Sequence, residues 1–224
     1  MTAARMSMVL LVFATLPLAA EEKSSSPLSV DKEKNEVAIA CKIAPRKLPN
    51  LKDVYPIEVI ATWPAPKGQK AHETVVAIEN LKPSEVHKAL EQLGLKPGKP
   101  TKEAGRKPQG PEVDVLLELP GDDGKPKRIP IEQALVQSKT GKAAPALKWH
   151  FTGSNFREPD PEKDEKVYGA DLTGTFLAIF PVTDDTVLQS ELSSEEEKSL
   201  KLETNTKLIP KEGTRLKLIL QAKK

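Results

Sequence analysis

Apolar and other side chains alternate strictly over two long, distant stretches, and this narrows the fold more than any other feature. Val37, Ile39, Cys41 and Ile43 share one side of an extended chain, with Ala38, Ala40 and Lys42 on the other. Val113, Val115, Leu117 and Leu119 repeat the pattern around Asp114, Leu116 and Glu118. A period of two is what a half-buried strand requires, because successive side chains point to opposite faces. Ile57, Val59 and Ala61 make a third such set, and residues 74–78, 128–131, 149–152, 175–180 and 216–220 are shorter candidates. Gly121-Asp122-Asp123-Gly124 reads as a hairpin turn.

One segment changes period. Lys82-Pro83-Ser84-Glu85 has the proline and the acid that suit a first helical turn. Val86, Ala89, Leu90 and Leu93 then recur at i, i+3, i+4 and i+7, and Gly94 follows as a stop. A second short helix is expected from Glu132 to about Gln137, and an acidic surface turn of helix over residues 193–200. Residues 96–111 hold four prolines and three glycines and read as a long exposed loop, as do residues 156–166. Together these predict an α+β class, a mainly antiparallel β-sheet with one main helix packed on a sheet face and long exposed loops. No internal repeat is visible, so residues 31–224 are expected to form a single domain behind a polar linker at 21–30.

The first twenty residues read differently. Arg5 precedes an apolar run from Val9 to Leu18, and Ala19-Ala20 stand before Glu21-Glu22-Lys23. Charge, then an apolar stretch, then small residues is the order of a secretory signal peptide. The run is well short of the ~20 residues a membrane-spanning helix needs. Leu18 is bulky for its place before the cut, so the signal is better defined than the cleavage position near Ala20. The mature chain is therefore expected in the periplasm or secreted, with no membrane span and no lipid anchor, since no cysteine follows the apolar run. Its 33 basic and 32 acidic residues nearly cancel. That balance excludes a protein that draws its affinity from neutralising nucleic-acid phosphates.

Several runs resemble the YdjY-like domain family: Pro56-Ile57-Glu58, His72-Glu73-Thr74-Val75, Val86-His87-Lys88-Ala89-Leu90 and Leu93-Gly94-Leu95-Lys96-Pro97-Gly98. Trp149-His150-Phe151-Thr152-Gly153-Ser154 and the late Gly213-Thr214 fit the same order and spacing. The resemblance covers nearly all of residues 31–222 and implies an exported bacterial protein of a family, frequent in planctomycetes, with no settled activity. Some relatives carry a ferredoxin-like label, but Cys41 is the single cysteine here and cannot hold an iron–sulfur cluster. His150 stands where relatives are expected to be apolar, and no role is carried over to it.

The candidate chemistry is sparse. Of three histidines, His72 lies beside Glu73, and on a strand the two side chains would point apart. The zinc-protease pattern needs a second histidine where Val76 stands. His87 flanks the apolar stripe of the helix. A polar or metal site formed by His72, Glu73 and His87 is the candidate to test, against the plainer expectation that all three are structural; no cofactor is expected. Glu158, Asp160, Glu162 and Asp164 alternate acids but lack the glycine turn of a calcium loop, so a solvated acidic loop is favoured. Lys96, Lys99, Lys102, Arg106 and Lys107 face only Glu103 within residues 96–107. Such a strip could touch anionic envelope polymers, although a mobile, solubilising loop is the simpler expectation. No nucleophile elbow or phosphate-binding loop is present, and Cys41 falls on a buried face. The reading that results is an exported, non-enzymatic module binding a protein or cell-envelope partner. The alternative is a metal-binding or hydrolytic protein using His72 and His87.

Overall fold

Buried alternation dictates the longest strands. The computed structural model describes residues 26–121, 124–160 and 162–223. The apolar leader lies outside them, as do Asp122 and Asp123 of the expected hairpin turn. The elements run β1 (Leu28–Asp31), β2 (Glu36–Ile43), β3 (Val59–Thr62), β4 (Thr74–Ala77), α1 (Pro83–Gln92), β5 (Glu112–Leu119), β6 (Lys127–Pro130), a 3-10 turn (Ile131–Ala134), β7 (Leu135–Gln137) and β8 (Trp149–Phe151). Then follow β9 (Phe156–Arg157), β10 (Val167–Tyr168), α2 (Gly169–Thr173), β11 (Thr175–Ala178), β12 (Leu188–Ser190), α3 (Ser194–Leu200), β13 (Leu202–Thr204) and β14 (Arg215–Ala222). No described helix is long and apolar enough to cross a membrane.

The strands do not make an open sheet with a helix on its face, and the α+β expectation is corrected here. They close into an eight-stranded barrel in the order β2-β14-β5-β8-β12-β11-β3-β4, with β4 pairing back onto β2. The closing pairs are Lys42↔Ala77 and Ile43↔Val76. Closure removes the exposed edges that an open sheet would have to protect. Every neighbouring pair round the wall is antiparallel except β3–β4 and β11–β12, which are parallel. Outside the wall, β1 pairs along the first half of β2, and β6 pairs along the second half of β5.

The interior is filled by side chains that the alternation picks out. Val37, Ile39, Cys41 and Ile43 from β2 meet Val113, Val115, Leu117 and Leu119 from β5, and Leu216, Leu218 and Leu220 from β14 stand between them. Trp149, Phe151, Phe176 and Phe180 are the largest fully buried side chains.

Helix α1 touches β2 and β11, strands three positions apart round the wall, so it crosses an opening of the barrel rather than lying on one sheet face. Its buried stripe is Pro83, Val86, Ala89 and Leu90. Three local expectations also change. Strand β1 begins inside the stretch read as linker. The expected helix after Glu132 is a 3-10 turn running straight into β7, which pairs with β13. The stretch 156–166 opens with β9, which pairs with β10 to make a hairpin rather than a free loop.

Candidate functional site

His72 and Glu73 sit in the turn that enters β4, not on the strand, and their side chains meet instead of pointing apart. His72 Nε2 lies 3.3 Å from Glu73 Oε1. Glu73 is buried and shares Lys70 with Glu58, each carboxylate 2.6 Å from the ammonium. Burial raises the Glu73 carboxyl above its ordinary range, and neighbouring Glu58 adds to this while Lys70 opposes it. Burial works against the Lys70 charge, but its hydrogen bonds to Glu58 and Glu73 outweigh it and hold the ammonium above its usual range. Tyr55 meets the His72 ring edge-on at 5.1 Å, and Arg46 binds the carbonyls of His72 and Tyr55 together with Glu203. Each cation here is matched by a carboxylate, the arrangement of a structural clasp.

His87 has different company. On α1 it faces the barrel mouth, with Phe151 and Tyr168 edge-on at 5.0 and 5.3 Å. Ser154 N–H donates to the Tyr168 phenol oxygen at 2.9 Å, and that oxygen is 2.8 Å from His87 Nδ1. With Glu91 Oε1 3.5 Å from Nε2, the arrangement suits the tautomer that carries its proton on Nε2 and takes the phenol hydrogen at Nδ1. Burial pulls His87 below its ordinary range, with Glu91 opposing, and pushes the Tyr168 phenol up. The ring is thus a neutral acceptor, held in place by one donor. No contact partner of His87 is shared with His72, and among the described residues no group of three or more His, Cys, Asp or Glu side chains could hold a metal ion.

The remaining candidates are tied up as well. His150 bonds Gly110 O and Glu191, both at 2.9 Å. Cys41 is buried on the barrel interior, and burial pushes its thiol up to about 12, an inert state. Ser154 Oγ accepts from Ala170 N and donates to Asn155 O, so it serves the turn before α2.

What the sequence did not single out is a groove formed where β3 and β4 end. Parallel neighbours finish side by side, so the loops that follow them, 63–67 and 78–82, flank one concavity of about 690 Å³ that the first turn of α1 completes. Its lining is largely apolar (Trp63, Pro64, Ala65, Pro66, Ile78 and Leu81) and includes no Ser, Thr, Cys or His. The walls are fixed: Trp63 Nε1 donates to Leu81 O at 2.7 Å, and Trp63 N–H to Gly174 O at 2.9 Å. A Cβ at Gly174 would lie 2.6 Å from the indole, so that glycine is what lets the ring in. Of the carboxylates at the rim, Glu79 pairs with Lys42 at 2.7 Å and Glu85 accepts from Lys82 N–H at 2.7 Å. The ammonium groups of Lys67 and Lys82 have no ion-pair partner among the described residues.

The family model of the YdjY domain matches residues 28–221. The chain belongs to the YdjY domain family. No curated protein and no solved structure matches it. In this YdjY domain the groove had one cue in the sequence, Trp63-Pro64-Ala65-Pro66, a rigid aromatic–proline run in a chain with two tryptophans. Its second wall had none, because it depends on β3 and β4 lying parallel. Tyr168 was equally hidden, being 81 residues from the histidine it holds.

Proposed function

We propose that this YdjY domain is an exported, non-enzymatic binding module that takes an extended apolar segment of a partner protein, flanked by an acidic residue, in the groove between residues 63–67 and 78–82. Export rests on the leader, with its Arg5, apolar run and Ala19-Ala20. Binding rests on one observation: this groove has preset apolar walls, two lysines at its rim without an ion-pair partner among the described residues, and no Ser, Thr, Cys or His in its lining, while its carboxylates Glu79 and Glu85 are engaged by Lys42 and by the Lys82 amide. Groups that lack catalytic partners but exclude water suit a ligand held by burial and charge, not one that is transformed.

The test begins with the full chain, expressed and recovered from the envelope fraction, with a mass that starts at Glu21. That protein is titrated with labelled ten-residue apolar peptides carrying either a glutamate or a lysine flank. The acidic peptide is expected to bind at least about tenfold tighter, or ~1.4 kcal/mol. A Lys67→Glu/Lys82→Glu chain reverses the preference, and Ala65→Trp, which fills the groove, removes binding without lowering the melting temperature. A chain kept in the cytosol with residues 1–20 intact overturns the export half. A preference that survives both sets of substitutions overturns the binding half.

A further inference from the structure

The basic stretch expected to be a mobile, solubilising loop is fastened at both ends and at its middle. Lys99 and Gln109 exchange backbone hydrogen bonds at 3.0 and 2.9 Å, and Gly98 N–H donates to Phe151 O at 3.0 Å. The approach admits no side chain: a Cβ at Gly98 would lie 2.0 Å from Gln109 O, and one at Gly110 2.1 Å from Phe151 O. Between these stems Gln189, a buried residue of β12, grips Thr101 twice, accepting from its N–H at 2.8 Å and donating to its carbonyl at 2.7 Å. A buried amide is thus committed to holding an exposed loop in one shape.

That shape is concave. A cavity of about 330 Å³ lies between the loop and residues 155 and 184, lined by Lys99, Lys102, Arg106 and Lys107 against Glu103 and Asp184. Arg106 is partly engaged by Glu103 at 2.8 Å, and Lys107 by Glu191 at 2.7 Å. Lys99 and Lys102 have no ion-pair partner among the described residues. Gln109, Asn155 and Asp184 bring acceptor oxygens to the same cavity, with Asp184 fixed by Asn155 at 2.9 Å and Arg157 at 2.7 Å.

We infer that this cavity is a binding site for a phosphorylated sugar, with Lys99, Lys102 and Arg106 on the phosphate and Gln109, Asn155 and Asp184 on the hydroxyls. Ammonium groups act as point charges on phosphate, and a dianion gains more from three cations than a carboxylate does. Amide and carboxylate oxygens beside them have no use for a bare anion but accept from sugar hydroxyls. The cavity shares no lining residue with the groove above, so the two readings stand or fall separately.

The experiment is a titration of the mature chain with glucose 6-phosphate, inorganic phosphate, glucuronate and glucose, followed by amide chemical shifts. Glucose 6-phosphate is expected to saturate shifts at Thr101, Gln109 and Asn155 with an affinity at least fivefold above that for inorganic phosphate or glucuronate, while glucose shows none. Lys99→Ala/Lys102→Ala lowers that affinity at least tenfold at an unchanged melting temperature, and Lys207→Ala, outside the cavity lining, leaves it alone. Equal affinity for inorganic phosphate or glucuronate overturns the assignment, as does saturation that the double variant leaves untouched.

Discussion

Gly153 has a φ of +64°, and a Cβ there would lie 2.9 Å from Pro97 Cβ and 3.2 Å from His87 Cε1. That single glycine lets α1 bring His87 down onto the barrel mouth, where Tyr168 holds it. The consequence is electrostatic. A histidine whose folded pKa is depressed by burial contributes stability above its ordinary pKa of ~6.5, and that contribution is lost as pH falls through the folded value. The groups facing it are Glu91, which favours the charged form, Lys88, which opposes it, and the neutral Tyr168. A His87→Gln chain keeps an acceptor for Tyr168 but cannot take up the proton. Its melting temperature is therefore expected to fall less than that of the native chain between pH 7 and pH 5; parallel falls would show that His87 is solvated. At this scale the sequence was least legible. It placed His87 correctly beside the helix stripe, yet pairings such as His87–Tyr168 and Ser84–Asp171 join residues 81 and 87 positions apart, and no local pattern encodes them.

Among elements, legibility followed length and one-sided burial. β2, β5 and β14 each span eight residues, and the alternation gave at least the core of each. α1 was equally clear because its apolar stripe has the helical period. β12 has three residues, all buried on both faces, and β9 and β10 have two each, too few to show any period. The basic loop was read as exposed, as it is, but its fastening was hidden for a related reason: its prolines and glycines are also what a closely docked loop needs. Its order depends on Gln189, so Gln189→Leu should leave the Thr101 amide and carbonyl without partners. A lost pair of this kind costs ~1–3 kcal/mol, confined here to the loop. Hydrogen exchange at the Lys99 and Gln109 amides is expected to accelerate while the β2 and β14 amides keep their protection. Unchanged exchange at both loop amides would mean that the stem bonds alone hold it.

For the whole molecule, every wall strand but β12 was legible and their closure was not, because closure rests on two residue pairs between β2 and β4 that carry no signature in either strand. The helix was placed on a sheet face because an open sheet offers a face, whereas a closed wall offers an opening. Closure also makes the C-terminal strand indispensable. β14 pairs β2 from Arg215 to Gln221 and β5 from Lys217 to Ala222, so it is the strand that joins those two directly in the wall. Its Leu216, Leu218 and Leu220 face the interior. A chain ending at Thr214 loses this strand and leaves two long unpaired edges around an exposed core, the condition that favours aggregation over folding. It is expected to show neither a cooperative thermal transition nor near-ultraviolet circular dichroism. Deleting residues 1–31 is the matched control, since β1 pairs only with β2 from outside the wall. That chain keeps its barrel closed and should still melt cooperatively at a lower temperature. Cooperative melting of the chain ending at Thr214 would show that the wall closes without β14, and loss of cooperativity in the control would make β1 part of the wall.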